Sequence, residues 1–344
     1  MLKYVLKRLG LAFLTTFIII SLSFILIKML PEERALGGTD QRIAYWEKQI
    51  SLGYILKFER EQTNLGKNID ICVQGSKTYY YYKAPVLKQY GSWVKNIVTK
   101  WEWGVSRKID PNVKATVVIG QRLGYSIRIN ILSVVISVPL GILLGIWAAL
   151  KKNTLTDHII STLVMIFISI PSFVLITFLI LIFAYKLKWL PSTWPTVTAP
   201  TVEKIKGYIL PVFCSCFGSI CGYCRFTRAE LCEVMESDYL LLARTKGLTK
   251  RQAIIRHALK NAMVPIVPSI LAEFIGILGG SMILEGLYGI PGIGKLYIEA
   301  LNGKDYNVLF VDMTIFTTLS LVAGVFLDIS YQFIDPRIRM GAKR

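Results

Sequence analysis

Histidine and acidic residues are scarce in this sequence. Its 344 residues include 2 histidines and 22 aspartates and glutamates, against 40 lysines and arginines. Neither His158 nor His257 belongs to a constellation of nucleophile, base and acid of the kind that covalent catalysis requires. We therefore expect no catalytic residues, and we predict that this chain is not an enzyme.

Cysteine is present, but not in a metal-binding pattern. Five of the six cysteines fall within residues 214–232, and Cys72 stands alone. Their spacing matches no standard pair of zinc motifs, whereas small residues favour helix packing in lipid. We expect neither a bound metal nor a disulfide framework.

Apolar residues are abundant. They make up 53% of the chain, and the mean hydropathy of +0.50 exceeds what a soluble core requires. A helix crosses the bilayer with about 20 apolar residues. We predict an all-α polytopic membrane protein with six transmembrane helices, at approximately 9–30, 120–150, 155–187, 209–231, 262–284 and 308–334.

The first apolar run resembles a signal peptide because Lys3, Lys7 and Arg8 precede it. The run is too long for the apolar region of a usual signal peptide, and no small-residue cleavage site follows it. We therefore expect a retained first span.

Basic residues set the orientation. The short connections on one side contain Lys3, Lys7, Arg8, Lys151, Lys152, eight basic residues within 225–260 and four within 337–344. The short connections on the other side contain only Lys186, Lys188, Lys204, Lys206, Lys295 and Lys304. Because cytoplasmic loops are rich in lysine and arginine, we predict a multi-pass protein of the cell membrane with both termini in the cytoplasm.

This orientation predicts four regions. Residues 1–30 form the cytoplasmic amino-terminal end and first span, 31–118 an extracytoplasmic segment, 119–334 the membrane core, and 335–344 a cytoplasmic tail. Within the outer segment, residues 84–104 have apolar side chains at helical spacing: Leu87, Tyr90, Val94, Ile97 and Trp101. An interfacial helix is the simplest interpretation, while packing against the spans and contact with a substrate stay open. Residues 79–82 fit either a strand or an aromatic belt.

The stretch ARTKGLTKRQAIIRHALKNA (243–262) contains six basic residues and no acidic one. It cannot cross the membrane, since each basic residue at the bilayer centre costs about 3 kcal/mol. Gly247 suits a helix end, and Thr249 with Gln252 has the spacing of a capping box. The predicted second helix places five residues on one apolar face: Ile254, Ile255, Ala258, Leu259 and Ala262.

Such a helix-turn-helix pattern is also typical of DNA readers. Here the flanking spans would hold the second helix within a few residues of lipid and leave little room for a duplex. We therefore expect no nucleic-acid partner. An amphipathic helix at the cytoplasmic face suits either membrane lipid or a groove on another protein.

The stretch GIPGIGKL (289–296) matches a phosphate-binding loop as far as Lys295, but Leu296 stands where a magnesium-binding Ser or Thr belongs. It also falls on the predicted outer side, away from ATP. We interpret its glycines and Pro291 as a tight re-entrant or gate-lining turn. Glu273 falls near the middle of the fifth predicted span, where an acid faces the bundle interior or a wet cavity. It either attracts a cationic substrate group or forms a structural pair.

Four stretches carry a family resemblance: ARTKGLTKRQAIIRHALKNAMVPI (243–266), PLGILLGIWAAL (139–150), LEGLYGIPGIGKL (284–296) and DISYQFIDPRIR (328–339). The first resembles the cytoplasmic coupling loop of ABC-importer permeases, which the resemblance places at about residues 233–261. Together they resemble the oligopeptide and dipeptide permease subfamily over nearly the whole chain, with the weakest likeness at 32–82. The resemblance implies the type I ABC-importer permease fold, with an extracytoplasmic insertion between the first two helices.

The resemblance also implies partners. These are a second related, non-identical permease, two cytoplasmic ATPase subunits that bind ATP and Mg²⁺, and an external solute-binding protein, while this chain itself binds no cofactor. The implied coupling residues are Ala243, Gly247, Thr249, Arg251, Ile254, Ile255, His257, Leu259 and Asn261. The candidate pathway residues are Glu273, Glu285, Gly289, Pro291, Gly292 and Gly294, although Glu285 suits a structural role better.

The implied cargo is a dipeptide or oligopeptide. Nickel complexes, glutathione and other peptide-like solutes stay open, because members of this family also carry them. A self-sufficient secondary transporter is disfavoured, since the sequence has neither coupling-ion sites nor inverted repeats.

Overall fold

The computed structural model describes residues 2–32, 34–276 and 280–334. The chain divides into two compact units, one formed by residues 1–124 and 291–321 and the other by residues 125–290 and 322–344. Most described residues are helical. The predicted tail, 335–344, lies outside the described residues.

Four described helices are long and apolar enough to cross a membrane. They are α1 (Leu2–Met29), α4 (Ala115–Leu150), α7 (Thr201–Met235) and α13 (Tyr306–Ile334). Each agrees with one of the six predicted runs. The described helices thus confirm a multi-span helical protein.

The predicted third span, 155–187, is broken in the structure. It consists of α5 (Leu155–Ser169) and α6 (Ser172–Leu179), which continues as a wider π-helix over Ile180–Lys186. The two parts are bent by 97° at Ile170 and Pro171. The residue before a proline disfavours the helical conformation, and Ile170 has the extended ψ of 120°. The prediction of one continuous helix is therefore wrong.

The predicted fifth span, 262–284, is not one long helix in the described residues. α10 (Leu259–Gly276) contains Pro265 and Pro268, residues 277–279 are not described, and α11 covers Met282–Tyr288. Counting the bent pair as one span gives five candidate spans among the described residues. The count of six stays a prediction.

The outer segment contains a three-stranded antiparallel sheet, so the prediction of an all-α fold is wrong there. The strands are β1 (Ile55–Phe58), β2 (Asp70–Gln74) and β3 (Lys77–Lys83), with β3 in the centre. Four consecutive tyrosines lie in β3, and aromatic residues favour strands. Of the two interpretations of residues 79–82, the strand is confirmed.

Two helices flank this sheet along the chain, α2 (Thr39–Ser51) and α3 (Val86–Lys100). In α2, the Trp46 ring stacks on Tyr81 of β3 with centroids 5.7 Å apart. In α3, Trp93 stacks on Phe24 of α1 at 4.7 Å. The buried face of α3 thus packs against the first span.

The apolar stripe predicted on α3 is only partly buried. Tyr90, Val94 and Ile97 pack against the core that contains Trp93, whereas Leu87 is 82% exposed and Trp101 is 71% exposed. Packing against the first span therefore explains the apolar residues in the middle of this helix. The apolar side chains at its two ends, Leu87 and Trp101, are exposed.

In the same unit, α12 (Ile293–Gly303) and the start of α13 form a second core with the start of α4. In the other unit, α5, α6 and α10 all pack against α7. α7 is therefore the helix around which that unit is organised.

Candidate functional site

The basic segment, residues 243–262, begins with the turn that its sequence predicts. α8 covers Asp238–Thr245 and ends in a Schellman motif. The Gly247 N–H donates to the Arg244 carbonyl at 3.0 Å, and the Leu248 N–H donates to the Ala243 carbonyl at 3.4 Å. Gly247 has a φ of 93°, which favours glycine. The predicted helix end is confirmed.

Crowding by neighbouring atoms does not explain why position 247 is a glycine. A Cβ added at Gly247 would meet nothing within 4 Å, so the requirement is for the backbone conformation alone. A side chain at this position strains the turn without a steric clash.

Thr249 starts the next helix through a capping box. Its hydroxyl accepts from the Gln252 N–H at 3.3 Å, and the Gln252 carbonyl oxygen Oε1 accepts from the Thr249 N–H at 3.1 Å. α9 (Lys250–Ala253) continues as a π-helix over Ile254–Ala258 and then as α10. The predicted capping box is confirmed, and one helical path runs from Lys250 to Gly276.

The inward face of the basic segment packs on the ends of two long helices. Its buried residues share a cluster with the ends of α4 and α7, and the cluster contains Ala149, Leu231, Cys232, Leu240, Ala253, Ile254, Ala258 and Ala262. The stripe Ile254, Ala258, Ala262 follows the four-residue spacing of one helix face. Most of these side chains are small, so the helix axes approach closely.

One predicted member of the apolar face points elsewhere. Ile255 is 55% exposed and Leu259 is only half-buried. The buried stripe runs through Ile254, and the next residue along a helix lies about 100° around its axis. Ile255 therefore does not share the face of Ile254, Ala258 and Ala262, and the prediction that all five apolar residues lie on one face is wrong for Ile255.

The outward face of this region combines apolar and basic side chains. Tyr239, Leu241, Leu242 and Ile255 are exposed apolar residues. The exposed polar residues among the predicted coupling positions are Thr249, Arg251, His257 and Asn261, while Ala243 is half-buried. An apolar patch with a charged rim is typical of a surface that binds another protein or a membrane.

Two ion pairs fix the helix ends beside this surface. Arg228 of α7 binds Asp157 of α5 in a bidentate pair, with Nε to Oδ1 at 2.5 Å and Nη2 to Oδ2 at 2.8 Å. Asp157 is fully buried and also accepts from the Asn153 N–H at 3.0 Å. Lys152 donates to Glu236, and this hydrogen bond raises the pKa of the lysine.

α4 and α7 pack through a pair of glycines on α4. A Cβ on Gly141 would lie 2.8 Å from the Ile220 carbonyl oxygen, and one on Gly145 would lie 2.6 Å from the Cys224 carbonyl oxygen. Glycines four residues apart allow two helix backbones to approach in a membrane. The stretch PLGILLGIWAAL therefore forms a close contact with α7.

Glu273 lies beside an open cavity of about 310 Å³ between α7 and α10, the central groove. The Ser219 hydroxyl donates to its Oε1 atom. The groove is lined by Gly218, Ser219, Gly222, Tyr223, Phe226, Ser269 and Glu273. The structure thus places the predicted acid at a cavity with polar neighbours.

Glu285 has a different environment from Glu273. It is buried, and its Oε1 atom accepts from the Ser126 hydroxyl at 2.6 Å and from the Ser281 N–H at 3.2 Å. These contacts tie the start of α11 to α4. The geometry favours the structural interpretation of Glu285.

The glycine-rich turn lies between two short helices. Gly289 ends α11 with a φ of 76°, and Gly292 precedes the first residue of α12. Gly292 and Gly294 are buried, and Pro291 is half-buried. The predicted turn is present, and its role in a pathway stays a prediction.

The sequence did not reveal a buried carboxylate in the other unit. Asp305 Oδ2 accepts from the Ser106 hydroxyl at 2.6 Å and from the backbone N–H groups of Arg107, Lys108 and Ile109 at 3.0, 2.9 and 3.2 Å. It thereby fixes the loop before α4 to the loop before α13. No local pattern could indicate a contact across almost 200 residues.

Comparison with known proteins gives the class. Residues 141–340 match the family described as "Binding-protein-dependent transport system inner membrane component". The chain is 31% identical to the dipeptide transport system permease protein DppB of Bacillus subtilis (strain 168), covering 100% of both chains. It is 30% identical to the oligopeptide transport system permease protein OppB of Escherichia coli (strain K12), covering 98% of this chain and 100% of that one.

A crystal structure of an amino acid ABC transporter with histidines aligns with 63% of this chain and 94% of that chain. The identity is 18% and the TM-score is 0.47.

The long apolar helices and these matches define a multi-pass membrane permease. The chain belongs to the family of binding-protein-dependent transport system inner membrane components. Its resemblance to the oligopeptide and dipeptide permeases is confirmed over its full length.

Proposed function

We propose that this chain is the transmembrane permease subunit of an ATP-binding cassette importer of dipeptides or oligopeptides. The observation that carries the proposal is the basic segment, whose capped turn presents an exposed apolar and cationic face next to the ends of long apolar helices. Relatives at about 30% identity that bear the names of dipeptide and oligopeptide permeases support the cargo.

The proposal assigns four kinds of partner. Two cytoplasmic ATPase subunits bind ATP and Mg²⁺ and receive the basic segment in a groove, and this chain itself holds no cofactor. A second, non-identical permease completes the pathway, a solute-binding protein delivers the cargo outside, and membrane lipid surrounds the spans. Both termini and the basic segment lie in the cytoplasm, because the basic residues concentrate on that side.

The regions follow from this orientation. Residues 31–118 face the outside, six helices cross the membrane, and the core spans 119–334. The glycine turn and Glu273 line the pathway, and Glu285 supports it.

Packing supports a mechanical role for the basic segment. Its buried face shares one cluster with α4 and α7, and the pair of Arg228 with Asp157 ties α7 to α5. Packed interiors transmit displacement because they have little free volume. A push on the basic segment by an ATPase therefore moves the ends of three helices together.

The test is uptake of a labelled tripeptide into proteoliposomes that contain the assembled importer and external binding protein. We expect uptake that requires ATP inside the vesicles and stops when the ATPase subunits are omitted. Gly247→Leu should lower peptide uptake per ATP hydrolysed about ten-fold or more, because strain in the turn costs about 1–2 kcal/mol and displaces the docking face.

The matched control is Gly247→Asn. Asparagine tolerates positive φ better than leucine does, and the open space around Gly247 admits either side chain. Gly247→Asn should therefore retain more coupling than Gly247→Leu. Peptide uptake without the ATPase subunits would contradict the proposed function, and equal coupling in all three proteins would remove the role of Gly247.

A further inference from the structure

The central groove contains one acid, Glu273. Among the residues that the structure describes, no lysine or arginine forms an ion pair with Glu273. Its polar neighbours are hydroxyl groups: Ser219 donates to it, and Tyr223 has Glu273 and Ser269 as its polar side-chain neighbours.

Glu273 lies beside the middle of α7, a candidate membrane span. Its partner Ser219 stands 18 residues after the first residue of α7 and 16 before its last residue, which places it roughly 25 Å from either helix end. Between Lys206 and Arg225, α7 contains no charged residue. An acid at this depth faces a cavity or the interior of a bundle and marks a pathway for ions or substrates by default.

The shape of the groove suits a side chain rather than a bare ion. Gly218 and Gly222 line it one turn apart, and a Cβ on either would meet nothing within 4 Å. The cavity of about 310 Å³ is larger than the space a single coordinated ion occupies. Phe226 supplies an apolar wall, and such a wall accommodates an alkyl chain.

The polar groups suit a primary ammonium group. An ammonium has three N–H donors and no acceptor. The Glu273 carboxylate supplies negative charge, and the hydroxyls of Ser219, Tyr223 and Ser269 supply further acceptor oxygens in the same groove. These acceptors can replace the water that a cation loses at mid-membrane.

We propose that the central groove binds a primary ammonium group of the passing peptide, either its amino terminus or a lysine side chain, with Glu273 as the counter-charge. This inference rests on the proposed function, because it presumes that peptides pass α7 and α10. It adds a charge preference within the membrane to whatever selection the binding protein makes.

The experiment compares Glu273→Gln with the unchanged importer in proteoliposomes. Glutamine keeps an oxygen that accepts the Ser219 hydrogen bond, so the substitution removes the charge and preserves the shape. Glu203→Gln is the control, because Glu203 is an exposed residue in the first turn of the same helix. Saturating peptide-loaded binding protein removes differences in delivery.

Two peptide pairs separate the two sources of ammonium. One pair is a tripeptide with central lysine and its counterpart with norleucine. The other is the norleucine tripeptide and its analogue with an α-hydroxyl in place of the α-amine. For each pair, the measured quantity is the uptake of the peptide with the ammonium group divided by the uptake of its neutral counterpart. In Glu273→Gln this ratio should fall about ten-fold in at least one pair, because a hydrogen bond to a charged carboxylate is stronger than one to a neutral amide. Glu203→Gln should leave both ratios unchanged.

Each outcome decides. A fall in the first pair identifies the lysine side chain, and a fall in the second identifies the amino terminus. Unchanged ratios in both pairs overturn the inference while the proposed function stands. If the unchanged importer takes up no peptide with ATP, the proposed function fails and the inference fails with it.

A second variant covers the case in which Glu273→Gln does not assemble. Gly222→Leu fills the groove with a side chain that meets no neighbour at its Cβ position. It should lower uptake of the lysine and norleucine peptides about ten-fold, because it blocks the cavity. Full uptake by an assembled Gly222→Leu importer would show that peptides do not enter the groove.

Discussion

Replacing Gly145 with alanine tests the close contact between α4 and α7. The added Cβ would lie 2.6 Å from the Cys224 carbonyl oxygen, 2.7 Å from the Thr227 Cβ and 3.2 Å from the Arg228 nitrogen. Carbon atoms pack at about 3.5–4.0 Å. The two helices must therefore separate by about 1 Å, because a backbone carbonyl cannot rotate away as a side chain can.

Two effects set the size of the change. Overpacking of this kind costs about 1–3 kcal/mol. Alanine also favours the helix over glycine by about 0.5–1 kcal/mol. Two of the three close atoms belong to the backbone, so we expect an overpacking cost of about 3 kcal/mol. After the gain in helix propensity is subtracted, the net loss of stability is about 2 kcal/mol.

The assay is the apparent melting temperature of the purified permease complex in detergent. Gly124→Ala is the matched control, because Gly124 lies on the same helix and a Cβ there would meet nothing within 4 Å. Gly145→Ala should melt several degrees below the unchanged protein, and Gly124→Ala should melt at or slightly above it. If both variants melt alike, α4 and α7 do not approach as the structure describes.

Two further predictions concern the unit that contains the outer segment. Asp305→Ala should lower the stability of this unit by about 3 kcal/mol, because four donors lose one charged acceptor. Limited proteolysis should then cut near residues 106–109. The control is Glu61→Ala, which replaces an exposed residue and should not change the cleavage pattern. Burial raises the pKa of Tyr81 from 10.0 to about 12. The unfolded chain therefore loses this proton at a lower pH than the folded protein does. The contribution of neutral Tyr81 to stability is complete below pH 10 and is lost as the pH rises through 12. Tyr81→Phe should remove that part of the alkaline loss, as measured by tryptophan fluorescence during unfolding. An unchanged difference in stability between the two proteins from pH 9 to 12 would contradict the reasoning.

The turn at Gly247 and the cap at Thr249 could be predicted because their causes are local. A Schellman motif and a capping box each involve residues within five positions of one another. The buried stripe that follows, Ile254, Ala258 and Ala262, is harder to predict from the sequence. Ile254 and Ile255 are both apolar, and only the positions of α4 and α7 decide which of them is buried.

The break at Pro171 shows how far proline alone predicts structure. Pro139, Pro211, Pro265 and Pro268 all lie inside helices, whereas Pro171 coincides with a bend of 97°. Neighbouring helices and polar groups in a membrane protein can satisfy the carbonyl that a proline leaves without a donor. The sequence does not contain that information.

The ion pair of Asp157 with Arg228 joins residues that are 71 positions apart in the sequence. The contacts of Asp305 join residues that are about 200 positions apart. No periodic pattern connects such residues, so only the fold brings them together. The sheet of the outer segment is an intermediate case. Its tyrosine run indicates a strand, but its partner strands have only four and five residues.

One helical path contains both surfaces that the proposals use. It starts at Lys250 beside the exposed face of the basic segment and reaches Glu273 in the central groove. Pro265 and Pro268 lie between the two and each removes one backbone donor, so the path is easiest to bend there. Under the proposed function, displacement of the basic segment would reach the groove through this part of the helix. Gly247 lies in the turn just before the path, and Glu273 lies near its other end, so substitutions at the two positions would act near opposite ends of one helix.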